Sequence, residues 1–563
     1  MNEKILIDIK EIEEIIDNQL YKIETPHIIK NIAIWHLLTV SEDAARMLFI
    51  KHIEMTAQEI NIFIDESKYA LRHCLNHIIK NSKNYQFPPP NKTIPKSYSQ
   101  ATELFYASLN YEKHCRVIAS YYNNRSLIEK ANNVYHFKHI DSIDARYSAL
   151  EGFKHGAEQN LDITSLLYHW LNDSQFSSIM SSKFIKHARL RKGQVLYNYD
   201  PETILYLTQF IPQRKKIIPD GFVFSWGNSE QTHALINSLL IRCLYHILTI
   251  SYFSDEKKIP GGAESSLVLK IEKEQLCKEI SYLADFNDGN IVSFIEFISY
   301  GYKTKTPDPA LQPLIKLEKD IYLIPCIHVL TNNLQRNLLA LMARMAPNEF
   351  DRQSNLFENE MIKKLSPILQ GWPLKYFSRE YSINSQKEEI DVLLLDPKEK
   401  IILLFELRWM NQPGDAREVF NRIKVCNEKV SQLERKIDFV SNFKEEIILR
   451  TFPTTNYNDD ADEYSVNGAV VIQGFGGHAS NKDCIPIITL EALEIGTKNI
   501  TSLTKLYDWI KSLTWLPQEN KDFKETIEEL AIGDSFLHRP ALEILVEQDE
   551  YVAHAISSTK PFI

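Results

Sequence analysis

The chain has 563 residues, of which 44% are hydrophobic and 25% charged, and its 74 Asp and Glu against 64 Lys and Arg leave a formal net charge of −10. That length allows two to four domains at about 150 residues each, and the low content of Gly and Pro, 17 and 23 residues, argues against collagen-like, low-complexity and many-turned all-β architectures. The acidic total also argues against coating nucleic acid by bulk charge, while leaving room for a local basic cleft.

In chain order, residues 1–255 are expected to be helical, as one or more domains. Apolar residues recur at three- and four-residue spacings in 5–20, 28–52, 57–81, 99–123 and 232–252, the period of a helix with one buried face. Pro88-Pro89-Pro90 through Pro95 breaks the pattern as a loop, and Pro260-Gly261-Gly262 breaks it again. Residues 256–347 read as a connector, with a short hairpin over 314–325 that turns near Glu318-Lys319-Asp320, then a helix over 332–345. The N-terminal stretch is acidic and amphipathic with no apolar signal core. The longest apolar run, 239–253, contains Arg242 and His246 and is too short to span a bilayer. Seven scattered cysteines without a C-x-x-C suit a reducing compartment. A cytoplasmic protein with no membrane partner is expected.

The texture changes after Pro347. A helix over 355–369 ends at Gly371-Trp372-Pro373. Strand-like runs follow at 374–383, 389–395 and 401–409, a charged helix at 416–442, and further strands at 447–452, 469–473 and 485–489. Strands interleaved with helices predict an α/β domain with a mixed sheet over 348–500, followed by a small helical or mixed tail over 501–563. The chain as a whole is expected to be an α+β multidomain protein.

The segment EEIDVLLLDPKEKIILLFELRW, residues 388–409, carries the chemistry. Asp396-Pro397-Lys398-Glu399-Lys400 is a turn, so its flanks pair as an antiparallel hairpin that sets Asp391 opposite Glu406. Alternation puts Asp391 on the face of Leu393 and Leu395, and Glu406 with Ile402, Leu404 and Arg408. Both strands are apolar on both sides, which predicts a covered, central hairpin. Two carboxylates facing each other on a buried surface need a compensating cation. Mg²⁺ or Mn²⁺ suits hard oxygen ligands; a structural ion pair with Arg408 is the simpler alternative.

The segment resembles the PD-(D/E)xK, or restriction-endonuclease-like, nuclease superfamily, in which a Glu-Ile-Asp strand is followed after a turn by a strand ending Glu-x-Lys. Glu389-Ile390-Asp391 and Glu406-Leu407-Arg408 occupy those places, over a likeness that spans about residues 350–500. The resemblance implies metal-dependent cleavage of phosphodiesters in genome defence or repair, with Asp391 and Glu406 as ligands of Mg²⁺ or Mn²⁺. It implies a glutamate on the preceding helix, Glu360 with Glu358 as competitor, and a glutamine on the following one, Gln432. Nucleic acid is the implied partner, DNA ahead of RNA, with the helical half free to form a homo-oligomer or hold a partner protein. The chain departs from the pattern at Arg408, because arginine stays protonated and can orient charge but not accept a proton. Either metal-activated water suffices, or the domain binds nucleic acid without cleaving it.

Two signals compete in the helical half. Arg72 and His77 match the Arg-x4-His pattern of HEPN-type ribonucleases, which cleave RNA without metal, though Arg46 and His52 are spaced similarly. Lys183, Lys186, His187, Arg189, Arg191 and Lys192, with Arg214-Lys215-Lys216, form a basic run that reads as a solvated face or as a local positive field for nucleic acid. Tyr197, Tyr199 and Trp226 read as core residues or stacking surfaces. Gly474-Phe475-Gly476-Gly477 lacks the Lys-Ser/Thr partner of a phosphate loop and reads as a turn.

Overall fold

A computed structural model describes residues 3–49, 55, 57–85, 87–139, 142–158, 161–172, 178, 188–191, 194–211, 216–257, 263–284, 286–372, 374–453, 461–478, 485–546 and 548–562. The chain is mixed α/β, with helices dominating its N-terminal half and mixed sheets its C-terminal half. It divides into two compact units, each assembled from two stretches: Met1–Arg116 with Glu158–Gln353, and Val117–Ala157 with Ser354–Ile563. One boundary falls between Gln353 and Ser354, and residues 117–157 group with the C-terminal stretch.

In the first unit, helices Lys30–Met47, Ala57–Asn81 and Pro95–Tyr122 enclose Trp35, Leu38, Leu71, Cys74, Leu104 and Phe105. The expected hairpin is there as Ile315–Lys316 and Ile321–Ile324, joined to Leu269–Glu272 in a three-stranded sheet. Helix Ser229–Lys257 carries, among the described residues, the one stretch long and apolar enough to cross a membrane, Ser229–Phe253, and most of it is buried within the fold. Arg242 on this helix pairs with Glu279 in the interior and lies 5.4 and 5.0 Å from the ring centres of Tyr197 and Tyr199. Burial, with the Arg242 charge behind it, pushes His246 down to about 3. Segment 260–262 lies outside the described residues.

The second unit takes up the chain at Val117, in the last turns of helix Pro95–Tyr122, and goes on to the hairpin β1 (Ser126–Ala131) and β2 (Val134–His139) and helix α1 (Ser142–Glu158). After the intervening unit it continues as α2 (Asn355–Ile368), β3 (Leu374–Ile383), β4 (Gln386–Asp396), β5 (Ile401–Trp409), α3 (Ala416–Asn442) and α4 (Lys444–Thr451). Then come β6 (Ser465–Gln473), β7 (Ile487–Thr489), α5 (Leu490–Asn499), α6 (Leu503–Ser512), β8 (Phe523–Ile532), β9 (Ser535–Ile544) and α7 (Gln548–Ser558).

One sheet has the order β3-β4-β5-β6-β7, antiparallel across β3, β4 and β5 and parallel from β5 to β7. It is covered on both faces, as the apolar strands predict. Val392, Leu394, Leu403 and Phe405 pack with α2 and with Tyr147, Leu150 and Phe153 of α1. Leu393, Leu395, Ile402 and Leu404 pack with Ile423, Cys426, Val430 and Leu433 of α3. A second sheet, β1-β2-β9-β8, joins the two ends of the unit. The strand expected over 447–452 is instead helix α4. Glu445 and Glu446 occupy its first turn, and Arg450 reaches back to Glu446, both favouring helix.

Candidate functional site

The β4–β5 ladder pairs Asp396 with Ile401 and runs to Val392 opposite Phe405. One step further stand Asp391 and Glu406, the facing pair that the turn predicts. Here the side chain takes over from the ladder: Asp391 Oδ2 accepts from the Leu407 amide at 2.7 Å. Glu406 is 1% exposed.

The compensating cation is a lysine. Lys436 of α3 donates to Glu406 Oε2 and stands 3.4 Å from Asp391 Oδ1, and Lys429, two turns earlier on that helix, donates to Glu406 Oε1 at 2.6 Å. Burial works against the charge on Lys436, but Asp391 and Glu406 outweigh it and hold its pKa above the ordinary value. Burial, and then the Glu406 charge, push Asp391 up to about 6 against the pull of Lys436, the Leu407 amide and Lys429. The site is thus a four-residue charge cluster beneath α3, with Glu406 and Lys436 buried and Asp391 and Lys429 partly exposed.

Arg408 does not join it. Its guanidinium pairs with Glu358 of α2 at 3.2 Å, each side chain about a third exposed, while Trp409 stacks on Phe357 with ring centres 3.8 Å apart. Glu360 is held by Lys363 at 2.5 Å. Gln432 is half-buried on α3, between Lys429 and Lys436 in sequence. Glu389 accepts from Ser378 at 3.2 Å. Sequence reasoning found the carboxylates but missed both lysines. Their signal is faint: Lys436 falls on the buried stripe of α3, with Cys426, Val430, Leu433 and Val440.

In the helical half, His77 is buried, with Nε2 2.9 Å from the Ile23 carbonyl and Nδ1 3.4 Å from Asn81 Nδ2. Arg72 is engaged by Glu112 and Asp308, and Arg46 by Asp43. His52 lies outside the described residues, as do Lys183, Lys186, His187, Lys192, Arg214 and Lys215. Arg189, Arg191 and Lys216 are exposed. Trp226 is buried and stacked on Phe224 with ring centres 4.8 Å apart. The Gly476 amide donates to Glu151, so that glycine turn is already partnered within its own unit.

No family model, curated protein or solved structure matches the chain.

Proposed function

We propose that residues 350–500 form a restriction-endonuclease-like domain that hydrolyses phosphodiester bonds, with Asp391 and Glu406 holding Mg²⁺ or Mn²⁺. The observation that carries this reading is the meeting of two carboxylates and a lysine ammonium where an apolar hairpin ends. The element order supports it: a helix, three antiparallel strands, a helix and a parallel strand. The donors suit a hard divalent ion, and Asp391, raised to about 6, is a carboxylate that such an ion would keep ionised. When bound, the ion would supply an activated water and neutralise phosphate charge.

The chain's own residues do the rest. Lys436 takes the place beside the carboxylates that Arg408 leaves empty. Because its pKa is raised, it acts as a charged group that orients a phosphoryl oxygen and stabilises developing charge rather than as a base. Arg408, held by Glu358 and partly exposed, is placed to meet a backbone phosphate of the substrate, duplex DNA being the first candidate. Glu360, tied to Lys363, and Gln432, beside the lysines, serve substrate contact rather than chemistry.

One observation favours a second reading. With Lys429 and Lys436 both on Glu406, the carboxylates are compensated without a metal. A nucleic-acid-binding or scaffolding protein that had lost catalysis would keep such a cluster for its packing. The purified chain, given DNA or RNA with Mg²⁺ or Mn²⁺, is expected to cut, and Asp391→Ala or Glu406→Ala to lower the rate about a hundredfold or more. Cutting that both variants retain sinks the nuclease site. Binding with no cutting in any metal selects the second reading.

A further inference from the structure

The β1-β2-β9-β8 sheet carries a row of side chains that the nuclease reading leaves unused. Its registers set Glu129 opposite His136, His136 beside His538, and His538 opposite Glu529. Partners in a ladder share a face, so Glu129, His136, His538 and Glu529 cross all four strands in one line. The face is open here: Leu127, Ile527 and Phe536, each two residues along its strand from a member of the row, are exposed.

The imidazoles of His136 and His538 lie edge to face, with ring centres 5.0 Å apart. Two imidazoles on one tetrahedral Zn²⁺, each bonded at about 2.0–2.1 Å, place their ring centres about 5 Å apart. The observed separation matches that value, and it is also the spacing of an ordinary edge-to-face ring contact. Nε2 of His538 is 2.7 Å from Glu529 Oε2, the carboxylate contact that fixes a ligating imidazole and leaves Nδ1 as the donor atom. Glu129 is held by Lys138 at 2.5 Å, both well exposed, so a cation can draw it away cheaply. Among the described residues no three His, Cys, Asp or Glu side chains already converge as a metal centre. This row supplies two neighbouring imidazoles and, opposite His136 in the register, a carboxylate on the same face.

We propose that His136 and His538 bind a borderline divalent transition ion such as Zn²⁺, with Glu529 holding the His538 ring and Glu129 closing the ligand set. Imidazole donors select this class over Mg²⁺, so the site is chemically distinct from the Asp391–Glu406 pair and does not depend on it. The ion would staple β2 to β9, strands remote in sequence that meet along three parallel register pairs, Phe536↔Val134, Leu537↔Tyr135 and His538↔His136.

The test is calorimetric titration of the tag-free full chain with ZnCl2 in excess Mg²⁺, alongside thermal unfolding. One equivalent is expected to bind and raise the unfolding temperature. His136→Gln and His538→Gln are each expected to weaken binding about tenfold or more. Lys138→Ala, which frees Glu129 without touching either imidazole, is expected to tighten binding, and Glu529→Gln to weaken it. No binding by the wild-type chain overturns the proposal. So does wild-type affinity in both histidine variants or, if these fail to fold, in both Lys138→Ala and Glu529→Gln.

Discussion

Asp391 is held by the fold away from its ordinary ionisation. Its carboxyl, raised to about 6 by burial and by Glu406, would titrate near 3.9 in the unfolded chain. Between about pH 4 and 6 the folded protein therefore keeps a proton that the unfolded one releases, so stability falls as pH rises through that window and levels off above it. Asp391→Asn removes that slope while keeping an oxygen for the Leu407 amide. In urea titrations the variant is expected to exceed wild type by up to about 3 kcal/mol at pH 8, with the gap closing towards pH 4. A gap of equal size at both pH values would contradict this account of the site. At this scale the sequence was half legible. Once a turn is placed, antiparallel register is arithmetic, and it set Asp391 opposite Glu406. Which way α3 is rotated about its axis is decided by packing, and Lys436, 30 residues beyond Glu406, is invisible to hairpin arithmetic.

Helix α3 reaches the carboxylates because it lies close on the sheet at Gly468. A Cβ there would come within 3.0 Å of Ile437 Cδ1, 3.1 Å of Leu433 Cδ2 and 3.2 Å of the Leu404 carbonyl. Gly468→Val is expected to lift the helix, cost about 1–3 kcal/mol and draw Lys429 and Lys436 away from Glu406. Thermal unfolding measures the first effect and the pH profile of stability the second; a variant as stable as wild type contradicts the close approach. The long helices and the central strands were legible because each carries a sustained apolar pattern. The outer sheet was not, since FKETIEELAI shows no clean alternation, although the two-residue turns Asn132-Asn133 and Gly533-Asp534 that close its hairpins are recognisable signals. In 447–452, adjacent β-branched residues suggested a strand, while the acidic first turn and the Glu446–Arg450 pair favour the observed helix.

Each unit is threaded through the other's sequence, and nothing local announces this. Tyr147, Leu150 and Phe153 belong to the core beneath the central sheet. The Tyr147 hydroxyl donates to the Ile487 carbonyl, and Arg146 donates to the carbonyls of Leu513, Leu516 and Pro517. Residues 354–563 expressed alone are therefore expected to lack cooperative unfolding in calorimetry, and residues 117–157 joined to them by a linker to restore it. A sharp transition from the shorter fragment would show that the insertion is dispensable. The shift in texture near 347 lies a few residues before the boundary at Gln353 and Ser354. Those at 117 and 157 leave no compositional trace, because long-range strand pairing has no local code. The threading also sets a timetable. At about 5–20 residues per second of synthesis, the two parts of the second unit leave the ribosome roughly 10–40 s apart. β9 follows β2 by about 400 residues, so for roughly 20–80 s β2 has an unpaired edge where β9 will later lie, and the nascent chain carries a sticky strand long before its partner exists.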